Sequence, residues 1–152
     1  MNVKPLHDEL ASKLFELAIV LDYLMEHGLA ERGLTRARAT VISQIHARGP
    51  MMQRELSQLL GVTPRNVTGL VDGLQEAGLV RRVAHPTDRR AIQVRLSPSG
   101  ARLAARLRAD HIEFAEVLFR GVRREQLASL GSTLDLVLSR LHEMRSETEA
   151  AA

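Results

Sequence analysis

Cysteine is absent from this 152-residue chain, which excludes a disulfide framework, a Cys-x-x-Cys zinc site and thiol-based redox sensing. Aromatic side chains are only 3% of the residues, too few for the stacking platforms that read single strands or RNA. No apolar run approaches the ~20 residues needed to cross a bilayer. The opening stretch MNVKPLHDELASKLFELAIV carries acids and lysines inside its apolar pattern, so it reads as a helix rather than a signal peptide. A cytoplasmic location without membrane contact is the expectation. A glycine-rich phosphate loop, a nucleophile elbow and a His–carboxylate set are also missing, so no catalytic residue is assigned. The six histidines show neither HxxxH nor HxxH spacing, and no metal or other cofactor is expected.

What the chain does have is positive charge in one place. Residues 1–31 hold two lysines against six acids, a net −4. Residues 32–108 hold fourteen arginines, no lysine and four acids, a net +10, and residues 109–152 return to −3. A basic middle between acidic ends points to a polyanion partner for the middle. Arginine suits planar contacts to phosphates and guanine edges, so duplex DNA is the expected partner.

Helix signals punctuate the chain. Leu10, Leu14, Leu17, Leu21 and Leu24 repeat at spacings of 4 and 3, and Gly28 offers a stop. Thr35 can cap a second helix that ends before Arg48-Gly49-Pro50. A short third helix carries Leu56, Leu59 and Leu60 and stops at Gly61. Thr63-Pro64, a cap residue followed by proline at the first helical position, opens a fourth helix with Val67, Leu70, Val71 and Leu74 on one face. Ile92, Val94 and Leu96 alternate with Gln93 and Arg95 as in a half-buried strand, which a turn at 85–88 pairs with residues 80–84. Ser97-Pro98 repeats the cap-plus-proline signal before a long helix. The last helix carries Leu127, Leu130, Leu134, Val137, Leu141 and Met144, and the tail SETEAA is expected to fray.

Two short helices joined by a turn and followed by a hairpin make a winged helix-turn-helix. The expected fold is mainly α (α+β): a reading head at 34–100 with a two-stranded wing, flanked by dimerisation helices at 1–33 and 101–152 within a single domain. The fourth helix would enter the major groove with Thr63, Pro64, Arg65, Asn66, Thr68 and Gly69. Arginine suits guanine, asparagine suits adenine, and threonine can offer a hydroxyl or touch a thymine methyl. Gly69 and Gly73 lie outward on this reading, where a missing side chain lets the helix sit deeper. Phosphate-contact candidates are Arg36, Arg38, Gln53, Arg54, Arg81 and Arg82. Dimerisation falls to Leu10, Leu14, Leu17, Leu127, Leu130, Leu134, Val137 and Leu141, whose 3-4 spacing suits helix-on-helix packing.

Residues 34–100 resemble the MarR (multiple antibiotic resistance regulator) family. The resemblance rests on GVTPRNVTGLVDGLQEAGLVRR, on DRRA at 88–91 and on LSPSG at 96–100, which matches the family's Leu-Ser/Thr-x-x-Gly. The long flanking helices extend it over nearly the whole chain. It implies a homodimer with interlocked terminal helices and two heads that read an inverted repeat. It also implies a wing in the minor groove, with Asp88 and Arg90 as the Asp-x-Arg motif and Arg89 beside them. The activity implied is ligand-responsive transcriptional regulation, repression first, with a small aromatic or phenolic effector. The alternative is a DNA-binding winged-helix protein without small-molecule sensing. Gly69 departs from the basic or bulky residue common in the family, so the target sequence does not carry over.

Overall fold

A computed structural model describes residues 3–88 and 91–150 of the chain. Its elements are α1 (Val3–Ala30), α2 (Arg36–Arg48), β1 (Met51–Met52), α3 (Gln53–Leu60), α4 (Pro64–Glu76), β2 (Val80–Ala84), β3 (Ile92–Leu96), α5 (Pro98–Leu118) and α6 (Arg124–Ala150). Residues 1–110 and 111–152 form two compact units. Among the described residues no helix is long and apolar enough to cross a membrane.

The caps fall where side-chain chemistry calls for them. Thr35 Oγ1 accepts from Arg38 N at 3.3 Å, and Thr63 Oγ1 accepts from Asn66 N at 3.3 Å with Pro64 opening α4. Each satisfies an N–H group that the first turn would otherwise leave unpaired. At the start of α3 the Glu55 carboxylate takes that role, accepting from Met52 N at 2.6 Å. Gly61 ends α3 at φ 63, a left-handed residue that lets the chain double back into α4.

The core of the first unit lies inside the reading head. Val41, Ile42, Leu56, Val67, Val71, Leu74, Val80 and Val94 are essentially inaccessible to solvent. They come from α2, α3, α4 and the sheet, so each element buries its one apolar face against the others. Ala104 completes the cluster, with Leu103 and Leu107 of α5 packed against it.

Four expectations need correction. The wing is part of a three-stranded sheet of order β1-β3-β2, with Met51 opposite Val94 and Val80 opposite Leu96. Met51 is buried, and drawing it into the core lays residues 51–52 along β3; two residues are too few to show a period in sequence. Gly28 does not stop the first helix, which runs to Ala30. The chain reverses instead through the left-handed Gly33, whose N–H bonds Ala30 O at 2.9 Å. Ile92 is 56% exposed although Val94 on the same face is buried, because it pairs with Ala84 toward the wing tip, beyond the body of the head. The tail stays helical to Ala150, with Ser146 and Thr148 hydroxyls bonded back to the carbonyls of His142 and Met144.

Candidate nucleic-acid interface

Burial of Val67, Val71 and Leu74 turns the opposite face of α4 outward. Thr63, Pro64, Arg65, Asn66, Thr68, Gly69 and Asp72 are all exposed on it. A Cβ added at Gly69 would meet nothing within 4 Å, so that stretch of backbone is open to a close approach. Gly73 differs from its expected role. It is half-buried beneath the Arg38 guanidinium, which a side chain there would strike. Its missing side chain makes room for α2, not for a ligand.

A polar chain ties the wing to both helices of the helix-turn-helix. Arg82 on β2 donates to Asp72 Oδ1 at 2.6 Å and to Gln75 Oε1 at 3.1 Å on α4. Its Nε lies 3.5 Å from Gln53 Oε1 on α3. Gln53 Nε2 in turn donates to Thr68 Oγ1 at 3.2 Å, and the Thr68 hydroxyl donates to Pro64 O at 3.0 Å. The pairing of Arg82 with Asp72 explains an acid on a face otherwise suited to anions. Because the partners lie on separate elements, residue spacing gave no sign of it.

Other phosphate-contact candidates divide into engaged and open. Arg36 is ion-paired with Asp22, and Arg38 covers Gly73. Arg54 and Arg81 are exposed and, like Arg65 of α4, form no ion pair or side-chain hydrogen bond among the described residues. Beside Arg54 an open cleft between α3 and α4 is lined by Gln53, Ser57, Gln58, Pro64 and Thr68.

At the wing tip His85 organises the turn. Its Nδ1 accepts from Thr87 N at 3.3 Å and Asp88 N at 3.2 Å, while His85 N bonds Ala91 O at 2.9 Å. Only the fold brings both N–H groups onto its ring. Asp88 is exposed at the tip, and Arg89 and Arg90 lie outside the described residues. No group of three or more metal-ligating side chains occurs among the described residues.

The candidate dimerisation side chains stay accessible. Leu10, Leu14 and Leu17 on α1 are 39–47% exposed. On α6, Leu130 and Leu141 are exposed, and Leu127, Leu134 and Val137 are half-buried. A second apolar row on α1 escaped the sequence reading. Phe15, Ile19 and Tyr23, at i, i+4 and i+8, are each at least 67% exposed.

Comparison with known proteins agrees with this geometry. The MarR family model matches residues 32–91. The HTH-type transcriptional repressor YetL of Bacillus subtilis (strain 168) is 35% identical over 97 residues, which are 60% of this chain and 56% of YetL. The chain thus matches little over half the length of that relative. A MarR family protein from Bacillus stearothermophilus shares the fold with a TM-score of 0.79 at 20% identity, over 93% of this chain and 99% of that one. Streptococcus pneumoniae FabT, solved in complex with DNA, superposes with a TM-score of 0.75 at 20% identity over the same shares. The matching model over residues 32–91 is that of the MarR family, YetL is a transcriptional repressor, and the solved structures share the fold.

Proposed function

We propose that the chain is a MarR-type DNA-binding transcriptional repressor, a reading supported by the family-model match at residues 32–91 and by the likeness to YetL. The observation that carries the reading is the exposed face of α4. There Arg65, Asn66, Thr68 and the bare backbone at Gly69 stand beside the uncovered Arg54, and Arg81 of the wing is uncovered as well. Base-edge readers flanked by free cations are what a major groove requires, since base contacts specify and phosphate contacts position. The wing, with Asp88, Arg89 and Arg90 at its tip, would reach the adjoining minor groove, whose negative potential attracts arginine.

The protein acts as a homodimer on an inverted repeat. Support comes from the apolar rows of α1 and α6, which a soluble chain does not leave in water without a partner surface. A two-fold axis would set the two α4 helices about one DNA turn apart, ~34 Å. A small aromatic or phenolic acid releases the operator; this part rests on the family resemblance.

Selection of bound fragments from random-sequence duplex DNA, followed by footprinting, tests the reading. A protected inverted repeat with half-sites about one turn apart is the expected result, and binding without any sequence preference would refute it. Release of that duplex by benzoate- or salicylate-type acids supports the effector. Binding unchanged by such acids would leave a regulator without small-molecule sensing.

A further inference from the structure

We infer that Thr68 reads a thymine through its methyl group, and that Arg82 holds it in that role from outside the groove; the inference rests on the proposed placement of α4 in the major groove. The argument follows the direction of hydrogen bonds. A guanidinium has donors only, so the Gln53 atom facing Arg82 Nε must be the carbonyl oxygen. That orientation turns the Gln53 amide nitrogen to Thr68 Oγ1, which therefore accepts, at 3.2 Å. The single hydroxyl proton of Thr68 then goes to Pro64 O, at 3.0 Å. Arg82 is itself anchored by Asp72 and Gln75 on the same helix as Thr68.

Thr68 so arranged cannot donate to guanine N7 or O6, to adenine N7 or to thymine O4. Those four acceptors make up most of what the major groove offers a hydroxyl. Thr68 is exposed, and the part of its side chain that stays uncommitted is the methyl, whose matching feature on DNA is the thymine 5-methyl. Threonine, with both a hydroxyl for the polar chain and a methyl for the base, suits the position better than serine or valine. Arg82 is on this account a positioning residue, not a phosphate contact.

The probe is the duplex obtained by selection with the full chain, remade with deoxyuridine in place of one thymine at a time. Uracil keeps every hydrogen-bonding group of thymine and lacks only the methyl. One thymine in each half-site should show a loss of about 4-fold on this change, the value of one buried carbon. Thr68→Ser should weaken binding to the thymine duplex by a similar factor and abolish the response to uracil. Thr68→Val, which retains methyls, should keep the response. Arg82→Ala should relax base preference at that same position while the dependence on salt stays as in wild type, because no phosphate contact is removed.

Equal binding of thymine and uracil duplexes at every position would overturn the inference while leaving DNA binding intact. A selected base other than thymine at the position that Thr68→Ser relaxes would do the same. A fall of about one in the salt slope of Arg82→Ala would return Arg82 to the phosphates. Selection that yields no preferred sequence would instead overturn the proposed function, and this inference with it.

Discussion

Replacing Gly100 with alanine tests how tightly the reading head is closed. Gly100 is buried in the first turn of α5, where a Cβ would lie 2.9 Å from the Leu79 carbonyl carbon and closer still to its oxygen. The oxygen contact, at 1.9 Å, is the limiting one: a Cβ needs at least ~3 Å there, so α5 and the β2 approach would have to separate by roughly 1.1 Å or more. Three hydrogen bonds cross that gap: Ser97 N to Leu79 O at 3.0 Å, Ser97 Oγ to Gly78 O at 2.6 Å, and Ser99 Oγ to Gly78 O at 2.8 Å. At a net ~1 kcal/mol each, losing them costs about 3 kcal/mol. Alanine's better helix propensity returns up to ~1 kcal/mol. A destabilisation of about 2 kcal/mol remains, which corresponds to a Tm lower by roughly 4–8 °C in a chain of this size. Urea titration measures it, with wild type and variant at one protein concentration because assembly would shift both. A midpoint equal to or above that of wild type, at unchanged m-value, would refute the close approach.

Gly69→Ala should behave oppositely: with open space around it, the variant gains up to ~1 kcal/mol of stability. It should nevertheless bind the selected duplex more weakly than wild type, and undiminished binding would show that no base approaches that backbone. Arg54→Ala should weaken all duplexes about equally and lower the salt slope by ~1, whereas Arg65→Ala and Asn66→Ala should relax base preference at particular positions of each half-site. Arg90→Ala should cost ~1–3 kcal/mol of operator affinity in a binding titration at fixed salt, with circular dichroism unchanged. Leu134→Asp should sediment as a monomer where wild type sediments as a dimer, and should bind an inverted repeat far less tightly, since avidity contributes ~10²–10⁴.

Signals between near neighbours in sequence were the legible ones. Thr35, Thr63-Pro64 and Ser97-Pro98 each act within four residues of themselves, and each opens a helix where read. The 3-4 spacing of Val67, Val71 and Leu74 likewise told which face of α4 is buried. Features made by distant parts of the chain were not legible. β1 exists only because Met51 meets Val94, 43 positions on. Gly73 reads as a surface glycine until Arg38 of α2 lies over it. Arg82 is one arginine of a basic hairpin until the fold sets Asp72, Gln75 and Gln53 around it. In each case the deciding partner sits on another element, so no local period records it.

The acids of the reading head explain why its charge points outward. Residues 32–108 contain only four acids among fourteen arginines. Glu55 caps α3 through Met52 N, and Asp72 holds Arg82, so two of the four serve the fold's own joints. Arg36 takes its counter-ion from Asp22 on α1, and Arg32 takes Asp110 at 2.6 Å on α5. The first pair joins the head to α1, the second joins the turn after α1 to α5, and both use acids that lie beyond the basic segment. The arginines thereby neutralised are those at the joints, while Arg54 and Arg65 beside α4 form no ion pair among the described residues. Solvent-exposed charges interact over about a Debye length, ~8 Å at physiological salt, so cations left free on one surface act on a ligand there and little elsewhere. The pairings at the joints therefore leave Arg54 and Arg65 uncompensated beside α4, where Arg65, Asn66 and Thr68 are exposed.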